Sequence, residues 1–496
     1  MKNINFEKWC RAGLEMLFLA GLTWGVAGCM SAPAPGDRTQ PWTPPKDAQK
    51  PDRVWKEIRS QQQDFSRPLT LAELTDLALQ NNPASRKAWS DARVAAAQVE
   101  QARGYFLPTL TATANANRFD QSADPDSFDQ TYTKMGPGLQ VNYLVINFGG
   151  GRKAAVDYAL QTVYAADFTF NRSLQDILLS VETAYYGLIS AQAGVEAASA
   201  SLDETTKALE AAQDRQASGV ATRLDVLQAQ AGHDQSVYNL AVAKGQFKIA
   251  RGNLVQVLGI PANMEIGVVT PTNDVPSELT VPDLSKLIDE ALLRRPDISA
   301  LRATLAAKES AVKVAGSALW PSLYVNGALN NDYYSGTSGK DLQDSDWAYQ
   351  AGLSLQWTLF DGLQTRAAKR GALAQLESTR AQLQQAELAA SAEVWTRFAN
   401  YETAAQKYTA SSAYLQSATA AYELALDSYK SGLKSILDLL NAESQLAQAR
   451  SQQIASRQDT FIALAQLAYS TGLLEQGGMS EPGELFSTTL QKDAQP

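Results

Sequence analysis

Residue types on which enzymes and metal proteins depend are scarce in this sequence. Among 496 residues there is one histidine, His233, and there are two cysteines, Cys10 and Cys29. A zinc site or a histidine-dependent catalytic triad would have to use His233, which lies in an Ala- and Gln-rich run typical of a helix. We therefore predict no enzyme activity, no catalytic residue, no metal and no cofactor.

Basic charge is scarce as well. The 43 Lys and Arg residues are outnumbered by 52 Asp and Glu residues, the formal net charge is −9, and no basic patch stands out. Binding of nucleic acid requires concentrated positive charge. Nucleic acid is therefore not among the expected partners.

The N-terminus has the pattern of an export signal. Residues 1–28 combine a basic start with an apolar stretch, as in a signal peptide. The stretch runs into VAGC at 26–29, which resembles the bacterial lipobox and predicts lipidation of Cys29; the alternative is an ordinary signal peptide with a chance cysteine. Met30 follows, not the aspartate that retains lipoproteins at the inner membrane, so by analogy the outer membrane is expected. Residues 29–68 are interpreted as an N-terminal tether.

Uninterrupted apolar runs are missing from the rest of the chain. After residue 28 no segment reaches the about 18 apolar residues that a spanning helix needs. A membrane protein without such helices must cross the bilayer as a closed β-barrel.

The chain is a tandem repeat. Landmarks recur 213 positions apart: Pro83 and Pro296, Pro108 and Pro321, Gly219 and Gly432, Asp225 and Asp438, Gly259 and Gly472. The pattern predicts repeat 1 at 69–260, an equatorial linker at 261–283, repeat 2 at 284–473 and a C-terminal tail at 474–496. In each repeat a short helix and a medium helix that ends just before the second proline lead to a β-hairpin, at about 109–147 and 322–360.

One segment alternates with the period of a membrane strand. From 347 to 359 every odd position is apolar or aromatic, and the even positions are mostly small or polar. The lipid face is therefore predicted to carry six named side chains: Trp347, Tyr349, Leu353, Leu355, Trp357 and Leu359. A soluble sheet with one wet face is the alternative, and the export signal favours the membrane.

Each repeat then continues into a pair of long helices. A proline-free segment of about 68 residues would span about 100 Å as a helix. The chain reverses at tips near 218–225 and 431–438. Gly219 and Gly432 are predicted to end the outgoing helices. Asp225 and Asp438 fall in the first turn of the return helices, where the exposed N–H groups of the backbone favour a carboxylate.

Four strands cannot close a membrane barrel, because known bacterial barrels have at least about eight. The chain must therefore oligomerise. A dimer would give eight strands with a filled interior, and a trimer would give twelve strands around a lumen.

The order and duplication of these motifs resemble the TolC family of outer-membrane efflux proteins. The repeated helix–strand–strand–helix unit, the LFDG exit at 359–362 and the YxxG…LD tip carry the resemblance over about residues 68–475. It implies a homotrimer with a twelve-stranded barrel that continues into an α-helical periplasmic tunnel with an equatorial belt. It also implies a passive exit duct that works with a periplasmic adaptor and an inner-membrane pump.

The same resemblance implies a gate at the tips of repeat 2. Asp438 aligns with an acidic ring position, and Asn441 falls where the best-known member has a second aspartate, which argues against a double ring. Tyr429 and Lys434 align with positions whose contacts hold the tips shut, with lysine in place of the usual arginine. Asp225 in repeat 1 is interpreted as structural.

The sequence is also compatible with other functions. Export of small molecules or metal ions and type I protein secretion share one fold, and the lipobox favours efflux by family habit. A structural coiled-coil lipoprotein would lack the strict strand alternation, and a periplasmic adaptor would need a soluble β domain in place of the hairpins.

The first prediction concerns Cys29. Acylation adds about 0.8 kcal/mol of membrane affinity per buried methylene. Cys29→Ser should abolish incorporation of labelled fatty acid, while a barrel would still hold the protein in the membrane fraction. Absence of label from the wild-type protein would refute the lipobox interpretation.

Overall fold

A computed structural model describes residues 67–121, 130–270, 283–336 and 345–474. The predicted signal peptide, Cys29, almost all of the tether and the tail from residue 475 lie outside the described residues. Most of the predicted linker, 271–282, lies outside them too.

Helices and strands follow one order twice. The elements of repeat 1 are α1 (Leu71–Asn81), α2 (Pro83–Gly104), β1 (Thr109–Gln121), β2 (Gln130–Asn147), α3 (Gly151–Ala217) and α4 (Arg223–Val257). Those of repeat 2 are α5 (Leu284–Arg294), α6 (Pro296–Ser317), β3 (Ser322–Gly336), β4 (Ser345–Gln356), α7 (Gln364–Lys430) and α8 (Ile436–Thr471). The long helices α3 and α7 have 67 residues each.

Equivalent residues of the two repeats form equivalent cores. Three of the fully buried pairs are Leu74 and Leu287, Val181 and Val394, and Leu254 and Leu467. Leu74, Val181 and Leu254 lie on the short, long and return helices of repeat 1 and share one cluster, and their counterparts do the same in repeat 2. A third apolar cluster lies near the tips, where alanines on four helices allow the helices to approach closely.

The medium helices end earlier than predicted. They stop at Gly104 and Ser317, so three residues separate each helix from the proline that the sequence suggested as its stop. Single turns follow, in which the amide of Leu107 bonds the carbonyl of Gly104 at 2.9 Å. A proline keeps the residue before it out of the α region, so a helix must end before that residue, and the position of its end is left open. These turns fit in that space between helix and strand.

The four strands form one antiparallel sheet in the order β1-β2-β3-β4. The last pair of the β3–β4 ladder joins Ser322 to Gln356, so β4 ends before the predicted limit at residue 359. Pro321, which precedes Ser322, has no N–H to continue the ladder. Trp357 and Leu359 therefore lie beyond the strand.

Each return helix is tied to the short and medium helices at the same point. In repeat 1 the side chain of Asn82 donates to the carbonyl of Val257 at 2.9 Å. In repeat 2 the buried Arg295 donates to the carbonyl of Ser470, 3.2 Å away. Both donors immediately precede the first proline of a medium helix, so the tie is duplicated although the side chain differs.

Arg295 has further partners that Asn82 lacks. Its guanidinium bonds Asp297 on α6 at 2.8 Å and Glu393 on α7 at 2.8 Å. Burial alone would raise the pKa of Asp297, but the bonded guanidinium holds it below the usual value.

The segment that follows repeat 1 contacts that repeat at two points. Leu69 forms a parallel bridge with Val268, and the Tyr185 hydroxyl donates to the carbonyl of Val269 at 2.7 Å. No helix among the described residues is apolar over a length that would cross a bilayer.

We expect the two ties to differ in strength. Arg295→Ala should lower the free energy of unfolding by about 3 kcal/mol, because two partly buried carboxylates lose their counter-charge. Asn82→Ala should cost about 1 kcal/mol, the usual loss for one neutral hydrogen bond. Urea unfolding in detergent compares them, and equal losses would contradict the role given to the ion pairs.

Candidate functional site

Two regions match the site residues predicted from the sequence: the sheet and the helical tips. In the sheet, strand register places like residues side by side. One row across the four strands is Ala112, Leu139, Leu329 and Tyr349; the row next to it on the opposite face is Thr111, Gln140, Ala328 and Gln350. The sheet therefore has an apolar face and a mainly polar face.

The polar face is held by side-chain contacts between strands. Asn326 donates to the Ser354 hydroxyl at 2.8 Å, and Lys134 pairs with Asp332 at 2.9 Å. Such cross-strand pairs stabilise a sheet beyond its backbone bonds.

The apolar face is open. Tyr349, Leu353 and Leu355 on β4 are 87%, 74% and 65% exposed. Trp347 and Tyr349 lie near one end of β4, and Trp357, whose indole donates to the carbonyl of Leu319 at 3.1 Å, lies just past the other. An apolar band flanked by aromatic side chains is the pattern of a lipid-facing surface.

The two tips have the same backbone turn. After α3, Gly219 takes φ 73°, its amide bonds the carbonyl of Gln216, and the amide of Val220 bonds that of Arg215. After α7, Gly432 takes φ 80°. Its amide bonds the carbonyl of Tyr429, and the amide of Leu433 bonds the carbonyl of Ser428. A glycine in the left-handed region is what this helix ending requires.

Each return helix opens with a capping box. The Thr222 hydroxyl accepts from the amide of Asp225, whose carboxylate accepts from the amide of Thr222 at 2.8 Å. Ser435 and Asp438 repeat this pattern at 3.0 Å. The Ser435 hydroxyl, then its amide, lower the pKa of Asp438, to which the charge of nearby Lys434 adds. Both aspartates thus stabilise helix starts within one chain.

Of the four predicted gate residues, three are exposed at the tip of repeat 2 and one is buried. Asp438 and Asn441 are exposed and three residues apart on α8, so they lie on one side of the helix. Lys434 is also exposed. Tyr429 is only 2% exposed, and among the described residues its hydroxyl has no hydrogen-bond partner.

Arg215 is the tip residue that sequence reasoning missed. Its guanidinium lies 4.8 Å from the centre of the Tyr429 ring and donates to the carbonyl of Tyr429. Burial raises the pKa of Tyr429, against the lowering effect of the Arg215 charge. The available signal was a difference between the copies, because the position equivalent to Arg215 is Ser428.

A group of partly buried charged side chains joins α3 and α8. Glu204 on α3 binds Arg450 on α8 through both carboxylate oxygens, at 2.8 and 2.7 Å. Glu443 is 8% exposed, and one of its oxygens has no partner in the described part of the chain. Burial and the charge of Glu204 raise the pKa of Glu443 to about 7. No cluster of metal-binding side chains occurs among the residues described.

The family model for "Outer membrane efflux protein" matches this chain twice, over residues 74–260 and 287–473. The chain belongs to this family. Outer membrane efflux proteins form channels and are not a family of enzymes. The resemblance to the TolC family drawn from the motifs is thus confirmed.

Individual relatives agree with this membership. Protein CyaE of Bordetella pertussis is 29% identical over 399 residues, covering 78% of this chain and 80% of its own. The pyoverdine export outer membrane protein OpmQ of Pseudomonas aeruginosa is 26% identical, with 85% and 87% covered. The solved structure of the outer-membrane channel OprN superposes with a TM-score of 0.71 at 23% identity, covering 85% of this chain and 92% of that one.

These matches confirm the predicted fold class for this efflux protein. It is that of the trimeric outer-membrane channels, a barrel that continues into a helical tunnel, to which each chain gives four strands.

The sheet of this efflux protein yields a prediction from neighbouring residues on opposite faces. Leu353 lies midway between the aromatic residues at the two ends of β4, and Ser354 lies on the polar face. Leu353→Arg should cost about 2–4 kcal/mol of membrane stability, whereas Ser354→Arg should insert normally. The two variants are compared by heat-modifiable migration in gel electrophoresis and by the amount of protein in the membrane fraction. An equal loss of folded protein in both would contradict the assignment of faces.

The buried Glu443 leads to a prediction about how the stability of the fold depends on pH. With its folded pKa raised to about 7 from the usual 4.5, Glu443 stays protonated in the fold over an interval where the unfolded chain has ionised. Stability should therefore fall as pH rises from about 4.5 to about 7, by on the order of 3 kcal/mol. Glu443→Gln should remove this slope and raise the melting temperature near pH 8.

Glu423→Gln is the matched control, because Glu423 on α7 is exposed. Melting temperatures of the three proteins are compared between pH 5 and pH 8. Parallel curves for wild type and Glu443→Gln would show that burial of Glu443 does not control stability.

Proposed function

We propose that this protein is the outer-membrane channel of a tripartite efflux system. It acts as a homotrimeric, passive exit duct for small molecules or metal ions. An inner-membrane pump supplies the energy, and a periplasmic adaptor joins the pump to the helical tips. Cys29 carries a lipid that adds a second anchor in the outer-membrane lipid.

The observation that carries this proposal is the two-faced sheet with open edges. β1 and β4 are its outer strands, each paired on one side only among the described residues. Unpaired backbone groups are not tolerated in hydrocarbon. Pairing β4 of one chain with β1 of the next removes every edge, and three chains give a barrel wide enough for a lumen.

In such a trimer the polar face lines the lumen. The apolar face, with Leu353 and Leu355, meets lipid. Water and polar solutes then pass along side chains such as Asn326 and Ser354, which already bond each other at 2.8 Å.

The tips form the narrow end of the duct. Three copies of Asp438 make a ring of negative charge at the periplasmic mouth, and Asn441 one turn away continues it with neutral amides. Like charges raise each other's pKa, which opposes the lowering effect of Ser435 within each chain. A negative ring favours cations over anions. Contact with the adaptor shifts the tips towards an open population.

The proposal is tested by what the protein conducts and what it binds. The purified protein should form discrete pores in planar bilayers, and crosslinking in intact cells should capture an adaptor and a pump. Deleting the gene should raise the accumulation of a small toxic compound. Absence of pores would support a structural coiled-coil lipoprotein, and loss of a secreted protein alone would support type I secretion.

The gate prediction compares the two tips. Asp438→Asn keeps an acceptor for the capping box but deletes the ring charge, so cation selectivity should fall and block by multivalent cations should weaken. Asp225→Asn makes the same chemical change in repeat 1 and should leave both unchanged. Bilayer recordings in asymmetric salt measure selectivity. If Asp225→Asn changes selectivity and block while Asp438→Asn does not, the gate lies in repeat 1 and the assignment to repeat 2 is wrong.

A further inference from the structure

Arg215 contacts both tips of the chain. It is the third residue from the end of α3, and its main chain belongs to the tip of repeat 1. Its carbonyl oxygen accepts the amide of Val220 at 2.9 Å and that of Ala221 at 3.2 Å. This carbonyl therefore closes the turn that leads to the return helix α4.

The side chain of Arg215 reaches the other tip. Its guanidinium donates to the carbonyl of Tyr429, in the last turn of α7, and lies over the Tyr429 ring. The carbonyl of Tyr429 also accepts the amide of Gly432 at 3.0 Å. A positive charge at the C-terminal end of α7 is attracted to the partial negative charge of the free carbonyls there. The guanidinium thus caps a helix of the other repeat.

Space at the tip of repeat 2 depends on this contact. A side chain at Gly432 would meet the guanidinium nitrogens of Arg215 at 3.4 and 3.7 Å. The turn at Gly432 and the Arg215 side chain are therefore packed against each other.

Within the described part of the chain, the contact has no counterpart in the opposite direction. The carbonyl of Ser428 closes the tip of repeat 2, where it accepts the amides of Leu433 and Lys434 at 2.9 and 3.3 Å. Its side chain is a short hydroxymethyl group, which cannot span to the tip of repeat 1. One tip is therefore supported by the other, and the dependence runs from repeat 2 to repeat 1.

We propose that Arg215 is a positioning residue that couples the two tips and holds the tip of repeat 2 in its gate-forming place. The contact uses the ring and the carbonyl of Tyr429, and not its hydroxyl, which has no partner among the described residues. The coupling stands on the contacts within one chain, and its effect on the gate rests on the proposed function as a channel.

The first test is hydrogen exchange of the wild-type trimer and Arg215→Met, which keeps a long apolar stem but has no donor. Amide exchange at Gly432 and Leu433 should rise about tenfold, as expected when a charged hydrogen bond is lost. Exchange at Val220 and Ala221 should not change, because the carbonyl of residue 215 is retained. Arg223→Met is the matched control, since Arg223 is an exposed arginine at the same tip. Unchanged exchange at Gly432 would overturn the coupling.

The second test is resting conductance without adaptor. Arg215→Met should raise it several-fold and leave the conductance of the fully open pore unchanged. Tyr429→Leu should do the same, and Tyr429→Phe should resemble wild type. The double variant Arg215→Met/Tyr429→Leu should be no leakier than either single one, because both remove one contact.

The outcomes separate the two levels of the proposal. Additive effects in the double variant, or a wild-type resting conductance in Arg215→Met, would overturn the role of Arg215 at the gate. A leaky Tyr429→Phe would overturn the assignment to ring and carbonyl. A wild-type protein that forms no pore would contradict the proposed function, and hydrogen exchange would still decide the coupling of the tips.

Discussion

Backbone hydrogen bonding in lipid is the constraint on which the rest of this structure depends. A strand edge exposed to hydrocarbon leaves N–H and C=O groups without partners, at a cost of several kcal/mol each. One chain supplies four strands and two such edges. Assembly is therefore a condition of crossing the membrane. The sheet also fixes how the helices begin, because β2 and β4 lead directly into α3 and α7.

Duplication of one unit provides two strand pairs, and the two copies can then diverge in sequence. They remain identical at some core positions, as in Val181 and Val394. They differ where neighbours differ: Asn82 and Arg295 make the same tie with different side chains, and Arg215 corresponds to Ser428. The positions that diverge are therefore the ones that give each repeat its own role.

The sequence predicted what depends on local chemistry. The alternation around Leu353 identified the two faces of β4, because side chains of a strand point to opposite sides. Gly219 and Gly432 identified the tips, because the turn needs a left-handed residue. The ends of α2 and of β4 were misplaced by about three residues, since a single turn and a proline without N–H decide them. Contacts such as Arg215 with Tyr429, or Glu204 with Arg450, depend on how long helices supercoil, which no short motif records.

The length of α3 has a mechanical consequence. The side-chain amide of the buried Gln175 donates to the carbonyl of Gly472 at 3.3 Å, which ties α3 to the end of α8 at this point. From there to Ala217 the helix extends for about 60 Å. If the helix tilts as a rigid rod, a rotation of about 5° at Gln175 displaces its far end by about 5 Å, close to one helical pitch. In the proposed duct, small rotations about this tie would change the aperture at the tips while every backbone hydrogen bond of the helix is kept.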